Sequence, residues 1–191
     1  MSDFKGKTAG RAALHYPLGE RVPEIGEAIE LVKGIYWVRM PLPFALKWIN
    51  LYLIDEGEKG WTLIDTGMPL EETKSAWRKI FGEMLGGRPI WRVIITHMHP
   101  DHIGNAGWIS RKFPGCQLWI SRLEYVSCRM LIADTGREAP DAGVRFYHAA
   151  GWEAHHIDTY KARFGGFGRA VSRLPDSYKR LSDGDSLQLG G

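Results

Sequence analysis

The chain has 191 residues, with 25 Lys and Arg against 22 Asp and Glu, a formal net charge of +3, 44% apolar residues and 25% charged ones. That balance excludes a disordered, collagen-like or fibrous chain. With no block of five like charges, it also lacks the electrostatic footprint of a nucleic-acid binder. Two cysteines, Cys116 and Cys128, make no disulfide framework, and each is expected to be a small buried hydrophobe. The first residues lack a continuous apolar stretch of the signal-peptide kind. The longest apolar run, Met40 to Ile54, is broken by Pro41, Pro43, Lys47 and Asn50, so no membrane span is expected. A soluble, cytoplasmic protein is the expectation.

Residues 1–26 read as an irregular, polar extension, with Pro17 and Pro23 as breakers. From Ala28 the pattern changes. Ala28–Val32 and Ile35–Met40 read as strands joined at Lys33-Gly34, followed by strands at Trp48–Ile54 and Trp61–Asp65 on either side of an Asp55–Gly60 turn cluster. Leu70, Trp77, Ile80, Phe81 and Met84 recur at helical spacing, behind Glu71 and Glu72, which suit a helix N-terminus. Gly86-Gly87 ends that helix. Trp91–Thr96 is short, β-branched and nearly unbroken in its apolar character, as in a strand buried on both faces. Ile103–Lys112 reads as a helix and Cys116–Ile120 as a further strand. Residues 27–120 therefore form a β-meander followed by α/β layers. Residues 121–177 read as a helical insertion or lid, rich in Trp152, Tyr160, Phe164 and Phe167. In residues 178–191 the alternation of Leu181, Leu187 and Leu189 about an Asp183-Gly184-Asp185 turn reads as a strand pair opening a second sheet.

The informative run is Thr96-His97-Met98-His99-Pro100-Asp101-His102. Neutral imidazoles and a carboxylate are first-choice ligands for divalent Zn, Fe or Mn. His97 and His99, two apart, point the same way from extended backbone. Pro100 turns the chain so that Asp101 and His102 approach from another side. One loop thus offers two ligands to each of two neighbouring metals, and a metal pair about 3.5–4 Å apart polarises a substrate and generates a hydroxide near neutral pH.

This run, THMHPDHIGNAG, resembles the signature of the metallo-β-lactamase-fold hydrolases. Leu63-Ile64-Asp65-Thr66-Gly67 resembles that family's first motif, and Asn50-Leu51-Tyr52-Leu53-Ile54 resembles its usual strand. The resemblance implies an α/β fold of the αββα sandwich type, of which this chain carries the N-terminal half plus the helical insertion. It also implies that His97 and His99 hold a first metal, and Asp101 and His102 a second. Asp101 would hold the attacking water and accept its proton, and Asp65 would orient a ligand imidazole by accepting its other N–H. Two divalent ions, zinc before iron or manganese, are the cofactors implied.

The family's pattern continues with a third His, a bridging Asp and a final His, all beyond the strand pair matched by residues 178–189. His148, His155 and His156 lie in the wrong order to replace them and are expected at the surface or lining a pocket. The expectation is an N-terminal portion of a longer protein, inactive alone. One sheet face, rich in Trp and Ile, then needs cover from the missing half or from self-association. The expected activity is hydrolysis of an ester, thioester or lactone in a small-molecule substrate by a metal-bound hydroxide. One alternative is a nuclease of the same superfamily, against which the modest Arg163, Arg169, Arg173, Lys179 and Arg180 cluster argues. The other is a non-catalytic scaffold needing a partner segment.

Overall fold

The computed structural model describes residues 15–190; residues 1–14 of the expected N-terminal extension lie outside the described residues. Seven strands form one sheet in sequential order: β1 (Ala28–Val32), β2 (Ile35–Pro41), β3 (Trp48–Asp55), β4 (Trp61–Ile64), β5 (Ile90–Ile94), β6 (Gln117–Ser121) and β7 (Lys179–Leu181). The first four pair antiparallel, because short turns connect them. From β4 onward the pairs are parallel. Parallel neighbours need crossovers, here α1 (Glu71–Met84), then α2 (Pro100–Ile103) with α3 (Ala106–Lys112), then α4 (Arg122–Ala133), α5 (Asp141–Ala149) and α6 (Ala154–Arg163).

The three crossovers step the same way along the sheet. Each right-handed connection therefore places its helices on the same face, and the core lies there. Val38, Leu51, Leu63, Val93 and Leu118 meet Trp77, Ile80, Ile103 and Ile109 in one buried cluster. Trp77 is fully buried, stacks on Phe81 at 5.4 Å between ring centroids, and donates its indole N–H to Thr66 O at 2.8 Å. The opposite face carries the cross-strand row Trp37, Tyr52, Ile64, Ile94 and Trp119. The apolar run read as a buried strand also contains Arg92. It is tolerated in the interior because Glu56 pairs with it at 2.6 Å and Thr62 accepts from its Nε, so the buried charge is matched.

Two expectations need correction. The helix read over Ile103–Lys112 is broken, because Asn105 turns back to hydrogen-bond the loop after β4. Residues 178–189 do not start a second sheet. The chain returns from the helices running parallel to β6, so Lys179–Leu181 extends the existing sheet as β7. Ser182 and Asp185 then close a turn around Gly184, whose φ is +80°, and Leu187 and Leu189 are half-buried without pairing as a strand.

Candidate metal centre

Strands β4 and β5 are parallel neighbours, so their C-terminal ends lie together. Asp65 follows one, and Thr96–His102 follows the other. Ligand sites of open α/β sheets form outside these ends. Asp65 is buried and is the one non-glycine residue with positive φ, +60°, among the described residues. That strained backbone aims its carboxylate across the gap. Asp65 Oδ1 accepts from Thr96 N, and Oδ2 accepts from Thr96 Oγ1 and from His102 Nδ1, each at 2.8 Å.

The loop between α2 and α3 is clamped from behind. Asn105 Nδ2 donates to the carbonyls of Thr66, Gly67 and Met68 at 3.2, 3.1 and 2.6 Å. Thr66 returns its amide and its hydroxyl to His102 O, both at 2.7 Å. Gly104 is required for close approach: a Cβ there would lie 2.6 Å from Pro69 Cδ and 2.8 Å from Gly67 O.

These supports fix which ring nitrogens face outward. A carboxylate only accepts, so His102 donates from Nδ1 and keeps its lone pair on Nε2. That Nε2 lies 3.5 Å from Asp101 Oδ2. The Thr96 hydroxyl gives its single proton to Asp65, the stronger acceptor, and so accepts from His97 Nδ1 at 3.0 Å. The lone pair of His97 is thereby also placed on Nε2, which lies 3.1 Å from His99 Nδ1. The structure thus brings the four donors together as two pairs, His97 with His99 and Asp101 with His102. The His97 and His102 rings bridge them at 3.8 Å between centroids.

The residues fit a divalent cation. Two nitrogens bound to one tetrahedral zinc at about 2.0–2.1 Å stand about 3.3 Å apart, close to the His97–His99 separation. Burial, and then the neighbouring His102 and His99, hold the His97 imidazole below its ordinary pKa, favouring the neutral ligand form. For His102 burial acts downward, but the Asp65 hydrogen bond and charge outweigh it, and the pKa rises.

A different group of donors is drawn together on the helical segment. Ligand atoms of Glu153, His155 and His156 lie within 4.8 Å of one another, all three residues exposed. His156 also lines a groove of about 470 Å³ with Trp152, Thr159, Tyr160, Arg163 and Phe164, whereas Phe167, expected with these aromatics, packs against the core. His148 is exposed. Burial pushes the thiols of both Cys116 and Cys128 up to about 11, so both are neutral at pH 7. Among the described residues no helix is long and apolar enough to cross a membrane. Sequence reasoning passed over the supporting residues Thr96, Asn105 and Glu124. Thr96 had a visible signal, a hydroxyl next to the first His; the partners of the other two are distant in sequence.

The comparisons agree with this geometry. The family model described as the metallo-beta-lactamase superfamily matches residues 49–175, well over half of the chain. A beta-lactamase domain protein from Burkholderia ambifaria is 32% identical, with a TM-score of 0.71 over 92% of this chain and 48% of its own. A metallo-beta-lactamase family protein from Thermus thermophilus is 23% identical, with a TM-score of 0.55 over 84% of this chain and 50% of its own, and shows the shared fold. The uncharacterized protein YobT of Bacillus subtilis is 32% identical over 74 residues, 38% of this chain and 29% of that protein. The chain spans about half the length of the solved structures it matches. With the family model over residues 49–175, and with Asp65 and the paired donors at the ends of β4 and β5, the chain belongs to the metallo-beta-lactamase superfamily.

Proposed function

We propose that the protein is a metal-dependent hydrolase that cleaves an ester, thioester or lactone bond in a small-molecule substrate. One observation carries the reading: a single buried carboxylate, Asp65, orients one imidazole in each donor pair, His102 directly and His97 through Thr96. In this reading His97 and His99 hold one divalent ion and Asp101 and His102 a second, with zinc first and iron or manganese also suited. When bound, such ions supply Lewis acidity toward a carbonyl oxygen and lower the pKa of water at the site.

The chain's own residues do the rest. Asp65 and Thr96 fix the tautomer of each neutral imidazole, with the proton on Nδ1 and the lone pair on Nε2. In this reading Asp101, half-buried with its Oδ2 3.5 Å from His102 Nε2, accepts a proton from an incoming water and orients it. The apolar acyl group of the substrate would be taken by the groove that Trp152, Tyr160 and Phe164 line together with Arg163.

The test is an assay of the metal-loaded protein on panels of acyl thioesters, esters and lactones. Turnover that is removed by chelation and restored by zinc supports the reading. Because the chain spans about half the length of the solved structures it matches, the same panels are run on the chain alone and on the chain extended to that length; stoichiometric metal without turnover in either overturns the activity while leaving the centre intact.

A further inference from the structure

A carboxylate from outside the motif reaches into the metal loop. The amide of Met98, the residue between His97 and His99, donates to Glu124 Oε2 at 2.6 Å. Glu124 stands in the first turn of α4, twenty-six residues on. Its position follows from the sheet. Ile95 N bonds Trp119 O at 2.9 Å, so β6 ends beside the point where the metal loop leaves β5. Ser121 then caps α4, its hydroxyl accepting from Glu124 N at 3.3 Å.

A Ser-x-x-Glu start ordinarily sends the Glu side chain back to the cap residue's own amide. Here that side chain goes to Met98 instead. The contact is short and half-buried, and it ties the chain between the two imidazoles of one donor pair to the helical segment. The Met98 amide belongs to the peptide that joins the Cα atoms of His97 and Met98, one peptide before His99, so rotation of that peptide would move His97 directly and alter the path of the chain to His99. Asp65 and Thr96 orient His97 but make no hydrogen bond to His99; His99 is held on one side by the start of α2, where its carbonyl accepts from His102 N and Ile103 N at 2.9 Å, and on the other by the chain through Met98.

We propose that Glu124 is a positioning residue for the His97–His99 pair, holding the Met98 peptide so that both ring nitrogens meet one cation. This rests on the metal-centre reading above. It makes α4 part of the centre's frame, so that anything displacing the helix would loosen the first metal.

Three variants separate the requirements. Glu124→Gln keeps the length and an accepting oxygen. Glu124→Asp keeps the charge in the helix's first turn but withdraws the oxygen from Met98. Glu124→Ala removes both. Zinc affinity is measured by chelator competition on the full chain, and exchange of the Met98 amide by NMR. Loss of a group that supports a metal ligand typically weakens binding by about 10–100-fold. Glu124→Asp and Glu124→Ala should weaken the tighter zinc by about that factor and speed Met98 exchange. Glu124→Gln should stay within about threefold of wild type, the acceptor being retained. If Glu124→Ala does not fold, the contrast between Asp and Gln decides alone.

Unchanged affinity in Glu124→Asp overturns the proposal, and so does a Gln variant as weak as the Asp one. A wild-type protein that binds no zinc would instead overturn the metal centre itself, a separate outcome.

Discussion

Asp65 Oδ2 lies 2.8 Å from both His102 Nδ1 and Thr96 Oγ1, so one carboxylate oxygen carries the orientation of two imidazoles in different donor pairs. Asp65→Asn keeps the shape but replaces one accepting oxygen by a donor, and so fails at two bonds at once. We expect zinc affinity to fall by about 10–100-fold. Thr96→Val, which cuts only the His97 branch, should fall less. Chelator competition on the three proteins checks the order; equal loss in both variants would mean that the branches are not separate.

The clamp behind the site is a stability element. Asn105→Ala removes an amide whose two hydrogens are shared among three buried carbonyls, at an expected cost of about 2–4 kcal/mol. Gly104→Ala must displace Pro69 and Gly67, an overpacking cost of about 1–3 kcal/mol. Urea denaturation measures both. A Gly104→Ala protein as stable as wild type would show that the contact with the loop after β4 is loose.

The raised pKa of His102 has a definite sign for stability. The metal-free native state binds this proton more tightly than the unfolded chain does. Its contribution is therefore complete below the unfolded value near about 6.5 and is lost as pH rises through the higher folded value. Asp55 behaves in the opposite sense. The Arg88 hydrogen bond depresses its pKa, so its contribution is present above the ordinary carboxylate value and lost as pH falls through the depressed one. Urea midpoints of metal-free wild type against His102→Gln, and against Asp55→Asn, should converge on the alkaline and acid sides respectively. Parallel curves would contradict both assignments.

Much of this arrangement is legible in the sequence, for a physical reason. Strands and α1 announce themselves by periodicity, since each must bury one face: Val38 and Met40 alternate with Trp37 and Arg39, and Trp77, Ile80 and Phe81 recur at helical spacing. The donors of the motif are adjacent in the chain, so their convergence needs one bend at Pro100. What the sequence hides are partnerships across distance. Glu124 reads as an ordinary capping residue until β6 is placed beside β5, and Asn105 reads as part of a helix until the loop after β4 offers it three carbonyls. Arg92 breaks the apolar run of its strand unless Glu56 is known to face it. The fate of residues 182–190 is hidden for the same reason. Alternating leucines record that one side of the segment is half-buried, not which backbone, if any, it pairs with.

In the proposed function the motif pairs, rather than the exposed Glu153, His155 and His156, take the metal. Cobalt titration of the metal-free protein, followed by its visible absorption, tests this most directly in wild type, His97→Ala and a His155→Ala/His156→Ala double variant. An intense ligand-field spectrum is expected in wild type and in the double variant, and its loss in His97→Ala. A spectrum that survives His97→Ala and disappears with His155 and His156 would contradict the claim.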